Sequence, residues 1–413
     1  MPTKPVLIIG AGVVGLTLAC GLNEPYGIDG STYSRKLKAG IPFEVYERDE
    51  HVGARGQGWA LTLHWVLPFL KKLLSQETVK RIQAAQVDPD ADRHGPGTIF
   101  LINLETLEPR FRIPAGERLR VNREKLRNVL LEEVSGRVHW GKRLTEIDDD
   151  GDDGVVAVFE DGTTAAGAVL VGAEGSNSRT RKFLAPETYR NVHLPVRCVG
   201  CAVDLTAEAA GPLRQIDPLL FQGCHPASGS FLWVSMLETP GINGTRGTDD
   251  ERYRVQINIS WPAQTPTDEV DPTDAGRLAD MKRRAEAFHP VLRDAVHAIP
   301  EGTEMREIVL QDWPCLAWDN RGGRVTLAGD AAHAMTVYRG EAANHGILDA
   351  YWLCERLGRV YNRGGIGMKA GLDGYEAELR ERTSAAVLLN RRACLEAHDW
   401  AGLDENSAVL KRS

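Results

Sequence analysis

The 413-residue chain has little of what marks several large protein classes. Its cysteines are few and odd in number, seven in all, at positions 20, 198, 201, 224, 315, 354 and 394. Most stand alone among apolar residues, which argues against a disulfide scaffold and for a reducing, cytoplasmic setting. Cys198 and Cys201 form a Cys-x-x-Cys pair, but no second cysteine pair or histidine pair stands near them, so a zinc site lacks ligands. Two residues of a strand is the plainer reading. No apolar run approaches the roughly 18 residues that a membrane-spanning helix needs. Positive charge is not in excess: 49 Lys and Arg against 57 Asp and Glu leave a net charge of −8. Nucleic-acid binding requires a basic footprint and a membrane anchor a polybasic one, so neither partner is expected. The 42 glycines follow no three-residue period, and the chain has no internal repeat. The oligomeric state is not legible.

What is present suits a folded enzyme. Hydrophobic residues make up 42% and charged residues 26%, mixed along the chain. That allows a large core and two or three domains. The run from Val6 to Cys20 behind Lys4 imitates a signal peptide. It is too short to span a bilayer, and it carries Gly10, Gly12 and Gly15.

Residues 5–10 read as a fully buried strand and 13–23 as a helix. A second strand is expected at 41–47, after a polar stretch over 24–40. Helical spacing marks 64–86 and 123–134. Short strands follow at 137–148, 154–160 and 168–172. Between 190 and 312 the texture changes to strands at 196–205, 218–223, 230–237, 252–261 and 305–312, with one helical pair near 274–298. A buried strand returns at 324–329, and helices follow at 341–359 and 371–399. The fold expected is α/β. A Rossmann-like domain, residues 1–189 and 313–413, is interrupted by a mostly antiparallel β-sheet layer over 190–312 and completed by C-terminal helices.

The strongest local signal is Gly10-Ala11-Gly12-Val13-Val14-Gly15 between a strand and a helix. The first glycine permits a tight turn, the second lets backbone approach a pyrophosphate, and the third lets helix pack on strand. The helix N-terminus offers free N–H groups to the phosphates. Glu47, ending the next strand, is the candidate for the ribose hydroxyls of an adenosine, with Glu44 close by. A second constellation is Leu327-Ala328-Gly329-Asp330-Ala331-Ala332-His333, followed by Gly340, Asn344 and Asp349. There a buried strand delivers Asp330, which can accept from a polyol hydroxyl. His333 is either a general base or a packing residue.

These two stretches, with VLVGAEGSNSRTR at 169–181, resemble the three motifs of single-component, FAD-dependent aromatic hydroxylases, the p-hydroxybenzoate hydroxylase-like family. The order and separation are the family's, across nearly the whole chain. RGQGWALTLHW at 55–65 and the long third motif resemble the enzymes of fungal secondary metabolism. The resemblance implies FAD and NAD(P)H as cofactors. It implies transfer of one oxygen atom from O2 to a small molecule through a flavin C4a-hydroperoxide. It assigns Gly10, Gly12, Val14, Gly15 and Glu47 to the ADP end of FAD. Arg55 and Arg123 lie along the cofactor path, with Arg120 a neighbour. Asp330 matches the ribitol-binding aspartate, and Gly340, Ala343 and Asn344 the loop and helix start beside the flavin ring. Three positions depart from the pattern. Glu174-Gly175 replaces Asp-Gly, and its extra methylene carries the carboxylate about 1.5 Å further. Val337 stands for a proline and Ala342 for a glycine.

The substrate is expected to be an apolar, electron-rich small molecule held by the 190–312 layer. Candidate lining residues are Phe221, Phe231, Trp233, Met236 and Trp261, with His64, Trp65 and Tyr338 from beside the motifs. No metal is implied.

Overall fold

The strand Val6–Ile9 is buried at every position, as its uninterrupted apolar run requires. In the computed structural model, which describes residues 4–23, 40–54, 59–91, 98–114, 116–149, 154–361 and 365–411, it lies at the centre of a five-stranded sheet. The order across that sheet is Val325–Leu327, Val169–Gly172, Val6–Ile9, Phe43–Tyr46 and Val138–His139, and every pair is parallel. The helix Val13–Asn23 packs against the helices Arg123–Val134 and Ala342–Tyr361. This is the doubly wound layer that the sequence leads one to expect. Its third motif returns to the same sheet more than 150 residues after its second.

The region read as one helix over 64–86 is two, Leu67–Leu73 and Gln76–Ala84. The break falls at Ser75, whose side chain accepts from the Thr78 N–H at 3.1 Å and caps the second helix. A further helix, Ala207–Ile216, lies between two of the expected strands and carries Pro212 inside it. Pro212 is tolerated there, although it removes one backbone donor.

The second layer is a seven-stranded sheet. Its order is Arg306–Glu307, Val196–Thr206, Arg252–Pro262, Phe231–Glu238, Leu220–Cys224, Thr98–Asn103 and Pro109–Pro114. The last two strands are an antiparallel pair drawn from well before residue 190. Leu220–Cys224 runs parallel to Thr98–Asn103, and the other pairs are antiparallel. One face carries Val199, Cys201, Val203, Phe221, Met236 and Ile257 and packs into an apolar core with Leu278, Met281, Leu292 and Val296 of two covering helices. Cys198 and Cys201, three apart on one strand, necessarily point to opposite faces. All seven cysteines are free and buried, and burial pushes the Cys201 thiol up to about 12, away from thiolate chemistry.

The long helix Met368–Glu396 carries a buried carboxyl under the first sheet. Glu376 accepts from Thr326 Oγ1 at 2.9 Å, Trp318 Nε1 at 3.1 Å and Asn320 Nδ2 at 3.2 Å. Burial nevertheless raises it from 4.5 to about 7. A carboxyl raised by folding stabilises the fold fully below its ordinary value and loses that contribution as pH climbs through the folded value. At about 1.4 kcal/mol per unit the loss is roughly 3 kcal/mol between pH 4.5 and 7. Across that window the urea midpoint of the wild-type protein is expected to fall relative to that of Glu376→Gln. Parallel profiles for the two proteins would refute this.

Candidate active site

Four of the five parallel strands end at one cleft. Gly10 follows Val6–Ile9, Glu47 follows Phe43–Tyr46, Ala173 follows Val169–Gly172, and Ala328 and Asp330 follow Val325–Leu327; all five residues line it. The crevice outside the carboxyl ends of the strands is where such sheets bind ligands. Counting the solvent at its mouth, the cleft holds about 1080 Å³ of open space.

The glycine loop is built as its spacing requires. Gly10 has φ +113°, and a Cβ there would lie 2.5 Å from the Ala173 carbonyl oxygen. A Cβ on Gly15 would lie 2.0 Å from the Gly10 carbonyl oxygen. At Gly12, by contrast, a Cβ meets nothing within 4 Å, so this position faces the open cleft. Glu47 is 2% exposed, and its carboxylate accepts from the Ala11 N–H at 2.7 Å and the Asp49 N–H at 3.1 Å. Glu44 instead pairs with His139 on the outside of the sheet. Val14 ties the loop to the third motif: a Cβ on Gly329 or Gly346 would come within 2.9 or 2.4 Å of its methyl carbon.

Asn122 caps the helix Arg123–Val134 by accepting from the Glu124 and Lys125 N–H groups at 2.9 and 3.3 Å. That cap sets Arg123 on the cleft wall. One turn on, Arg127 donates to the Ala11 carbonyl at 2.8 Å and holds the glycine loop from behind. The sequence reading passed over Arg127, although its spacing from Arg123 placed both on one helix face. The wall also carries Arg48, Lys142, Arg143 and Arg179, a basic lining in an acidic protein and suited to a pyrophosphate.

In the second motif Glu174 does not reach outward. Its carboxylate turns onto the N-terminus of the helix Arg179–Leu184, accepting from Ser178 Oγ and from the Arg179 N–H at 3.1 Å. Burial raises its pKa against those bonds. Arg181 joins the second motif to the third, donating to the Asp330 carbonyl at 3.3 Å and to Asn191 Oδ1 at 2.7 Å, with Trp313 beneath it at 4.9 Å. The Asp330 side chain is open to the cleft yet ringed by protein. The loss of water raises its pKa, while His333, Arg123 and Arg181 oppose the rise.

His333 does not reach the cleft. It is fully buried and meets Asp349 Oδ2 at 2.6 Å through Nε2. Asp349 also accepts from the Gly329 N–H at 2.8 Å and from Arg382 Nη2 at 2.7 Å. Burial alone would raise the Asp349 carboxyl, but His333 and Arg382 hold it well below the usual range. This cluster braces the strand end that carries Asp330.

Of the residues singled out in the sequence, Gly10, Gly12, Val14, Glu47, Arg123, Asp330 and Ala343 meet in the cleft. Gly15 packs behind the loop. Gly340 accepts from Asn344, and Asn344 is buried away from the cleft, donating to the Thr62 carbonyl at 2.9 Å and accepting from the His64 N–H at 3.0 Å. It fastens the strand Ala60–Leu63 to the helix start. Arg55 lies outside the described residues.

The expected substrate wall needs correction. Phe221, Met236 and Trp261 belong to the core under the covering helices, because alternation along their strands points them toward those helices. Phe231 and Trp233 point the other way. Tyr338 reaches that second face, donating to Ser260 Oγ at 2.8 Å and packing 5.3 Å from the Phe231 ring. Arg120 reaches it too, bonding Ser235 Oγ and, at 2.6 Å, Thr62 Oγ1. Burial, with Arg118 nearby, lowers its guanidinium to about 9. Trp65 packs instead against His345 at 5.0 Å. Among the described residues no helix is long and apolar enough to cross a membrane.

Comparison with known proteins agrees with this architecture. Residues 117–390 match the FAD binding domain family. The FAD-dependent monooxygenase dbaB of Emericella nidulans is 43% identical over 369 residues, 88% of this chain and 89% of that one. The FAD-dependent monooxygenase tazP of Aspergillus terreus is 33% identical over 373 residues, 87% of this chain and 90% of that one. Among solved structures, Klebsiella pneumoniae HpxO complexed with FAD and uric acid superposes with a TM-score of 0.70 at 19% identity, covering 97% of this chain and 90% of that one.

Proposed function

The chain belongs to the FAD-dependent monooxygenases that carry the FAD binding domain, and on that premise we propose that it draws electrons from NADH or NADPH and places one oxygen atom of O2 in a small, electron-rich molecule. Hydroxylation and epoxidation both fit. The observation that carries the reading is the convergence of Gly10, Gly12, Glu47, Arg123 and Asp330 on one cleft at the carboxyl ends of a parallel sheet.

The residues present fit FAD. The open space at Gly12 and the N-terminus of Val13–Asn23 suit the pyrophosphate, Glu47 suits the adenosine ribose, and Asp330 suits the ribitol chain. Electron transfer and oxygen activation are the chemistry that FAD supplies when bound. The chain's own work is to bind it, exclude water and aim the substrate. The division that follows assigns 1–189 and 313–413 to the cofactor and 190–312 to the substrate, with the strand pair Thr98–Asn103 and Pro109–Pro114 lent to the substrate sheet.

Asp330→Ala tests the ribitol contact. A charge-assisted hydrogen bond contributes roughly 1.5–3 kcal/mol, so FAD affinity is expected to fall about ten- to a hundredfold. If Asp330 serves only the turn Asp330–His333, the apo protein loses thermal stability while FAD binding stays unchanged. The activity itself is tested by NADH or NADPH oxidation under air with a panel of phenols, indoles and alkenes. One equivalent of product, heavier by one oxygen atom, is expected per reductant consumed. Reductant consumption with no heavier product from any compound that stimulates it would refute the reading.

A further inference from the structure

The long helix Met368–Glu396 turns one stripe to solvent, and that stripe is not the charged one a surface helix ordinarily shows. Glu381, Ala385, Leu388, Arg392 and Leu395 are all exposed. They follow one another at alternating steps of four and three residues, the spacing of a coiled-coil seam. Leu388 is 50% exposed and Leu395 43%, so nothing in the chain covers the seam.

The apolar character continues beside the helix. Ser384 Oγ donates to the Cys315 carbonyl at 2.8 Å, and Arg391 Nε donates to Asp312 Oδ2 at 2.8 Å. Positions 384 and 391 lie two turns apart on one flank of the stripe, so the segment 309–316 runs along that flank. Val309 and Leu316 are exposed on it. Val192, also exposed, stands beside them, opposite Asp312 in the antiparallel pair of Val192–His193 with Gln311–Asp312. Among the described residues eight large apolar side chains are exposed, and five of them share this one patch. Apolar residues scattered singly on a surface need no explanation, but a cluster of this kind does.

The charges indicate what covers it. Glu381 and Arg392 stand toward opposite ends of the seam, with Ala385 and Leu388 between them. A second copy laid antiparallel, about a two-fold axis crossing the helix between Ala386 and Val387, sets Glu381 against the partner's Arg392 and Ala385 against the partner's Leu388. Each pair is then made twice. A parallel pairing would instead set like charges on like. Within the chain Arg392 meets Glu396 one turn on, whereas Glu381 has no ion-pair partner among the described residues. The seam is about 21 Å long and, at helix width, about 10 Å across. A stable interface takes roughly 800 Å² from each partner, more than the seam alone supplies. The same two-fold keeps both copies of the segment 309–316 on one side of the helix pair, and they widen the contact.

We propose that this face is the interface of a homodimer, two copies pairing antiparallel along Met368–Glu396. The proposal does not rest on the monooxygenase reading, since it involves no residue of the cleft.

Sedimentation velocity over about a hundredfold range of protein concentration provides the test. At the upper end the wild-type protein is expected at twice the chain mass of 45.3 kDa. Leu388→Glu sets a carboxylate against the partner's Ala385, and is expected to weaken the pair by at least about a hundredfold while circular dichroism stays unchanged. Glu381→Arg and Arg392→Glu each place like charges opposite one another, and each is expected to weaken the pair about tenfold because the clash occurs twice. Both reversals in one chain are expected to restore it. A wild-type monomer throughout the range, or a dimer that Leu388→Glu leaves intact, would overturn the proposal. So would single reversals without effect, or a double reversal that fails to regain what the single ones lose. If Leu388→Glu does not fold, the charge reversals decide alone.

Discussion

Gly12→Val is expected to leave the protein folded and to abolish FAD binding. The two halves of that expectation come from one observation. A Cβ at Gly12 meets nothing within 4 Å, so the protein itself gives no steric reason to reject a side chain. The space it would fill is the cleft beside the N-terminus of Val13–Asn23, where backbone must approach the pyrophosphate. Valine would set branched carbons between the phosphates and the N–H groups meant to meet them. Gly15→Val is the contrasting variant, because even its Cβ would strike the Gly10 carbonyl oxygen at 2.0 Å. It is expected to lose stability whether or not FAD is present. Circular dichroism melts and acid-released flavin separate the cases. A Gly12→Val protein that retains FAD at the wild-type level would show that the cleft is not the pyrophosphate site.

Asp349→Ala is expected to cost about 3–5 kcal/mol of stability, the range for breaking a buried ion pair from one side. The substitution removes at once a partner of Arg382, His333 and the Gly329 N–H, each of which bonds this carboxylate, although Arg382 keeps its pair with Glu378. Because folding depresses the carboxyl, its contribution is present above the ordinary value of 3.8 and fades as pH falls below it. The loss should therefore be full at pH 7 in urea denaturation. A change below about 1 kcal/mol in the single variant would mean that the cluster adds no more than a surface pair does.

The cofactor half of the molecule was largely legible in the sequence, and the substrate half was not. The glycine loop, Glu47 and Asp330 are written in short stretches whose spacing is tied to backbone geometry, so their roles survive being read in one dimension. Arg127 was missed because a buried arginine on an otherwise amphipathic helix looks like surface charge. Asn344 matched a motif at the flavin, yet its amide is taken up by Thr62 and His64, residues some 280 positions earlier that no local pattern could bring to it. On the sheet, composition called attention to the aromatics. Strand parity decides the matter instead: Phe221 and Gln222 are neighbours in sequence, and the phenylalanine faces the helices while the glutamine faces the opposite side of the sheet. The alternation of Gln256, Asn258 and Ser260 was visible all along. What the sequence could not supply was the C-terminal segment, whose Leu410 packs with Trp233 on that face.

The most direct measurement of the central claim is the fate of isotopically labelled O2. The FAD-loaded enzyme is supplied with NADH or NADPH and with whichever compound stimulates oxidation of the reductant. The product is then weighed by mass spectrometry. One labelled oxygen atom in the product, with the other in water, is the result this account predicts. Label found only in hydrogen peroxide, beside a product that has lost two hydrogens and gained no oxygen, would contradict it.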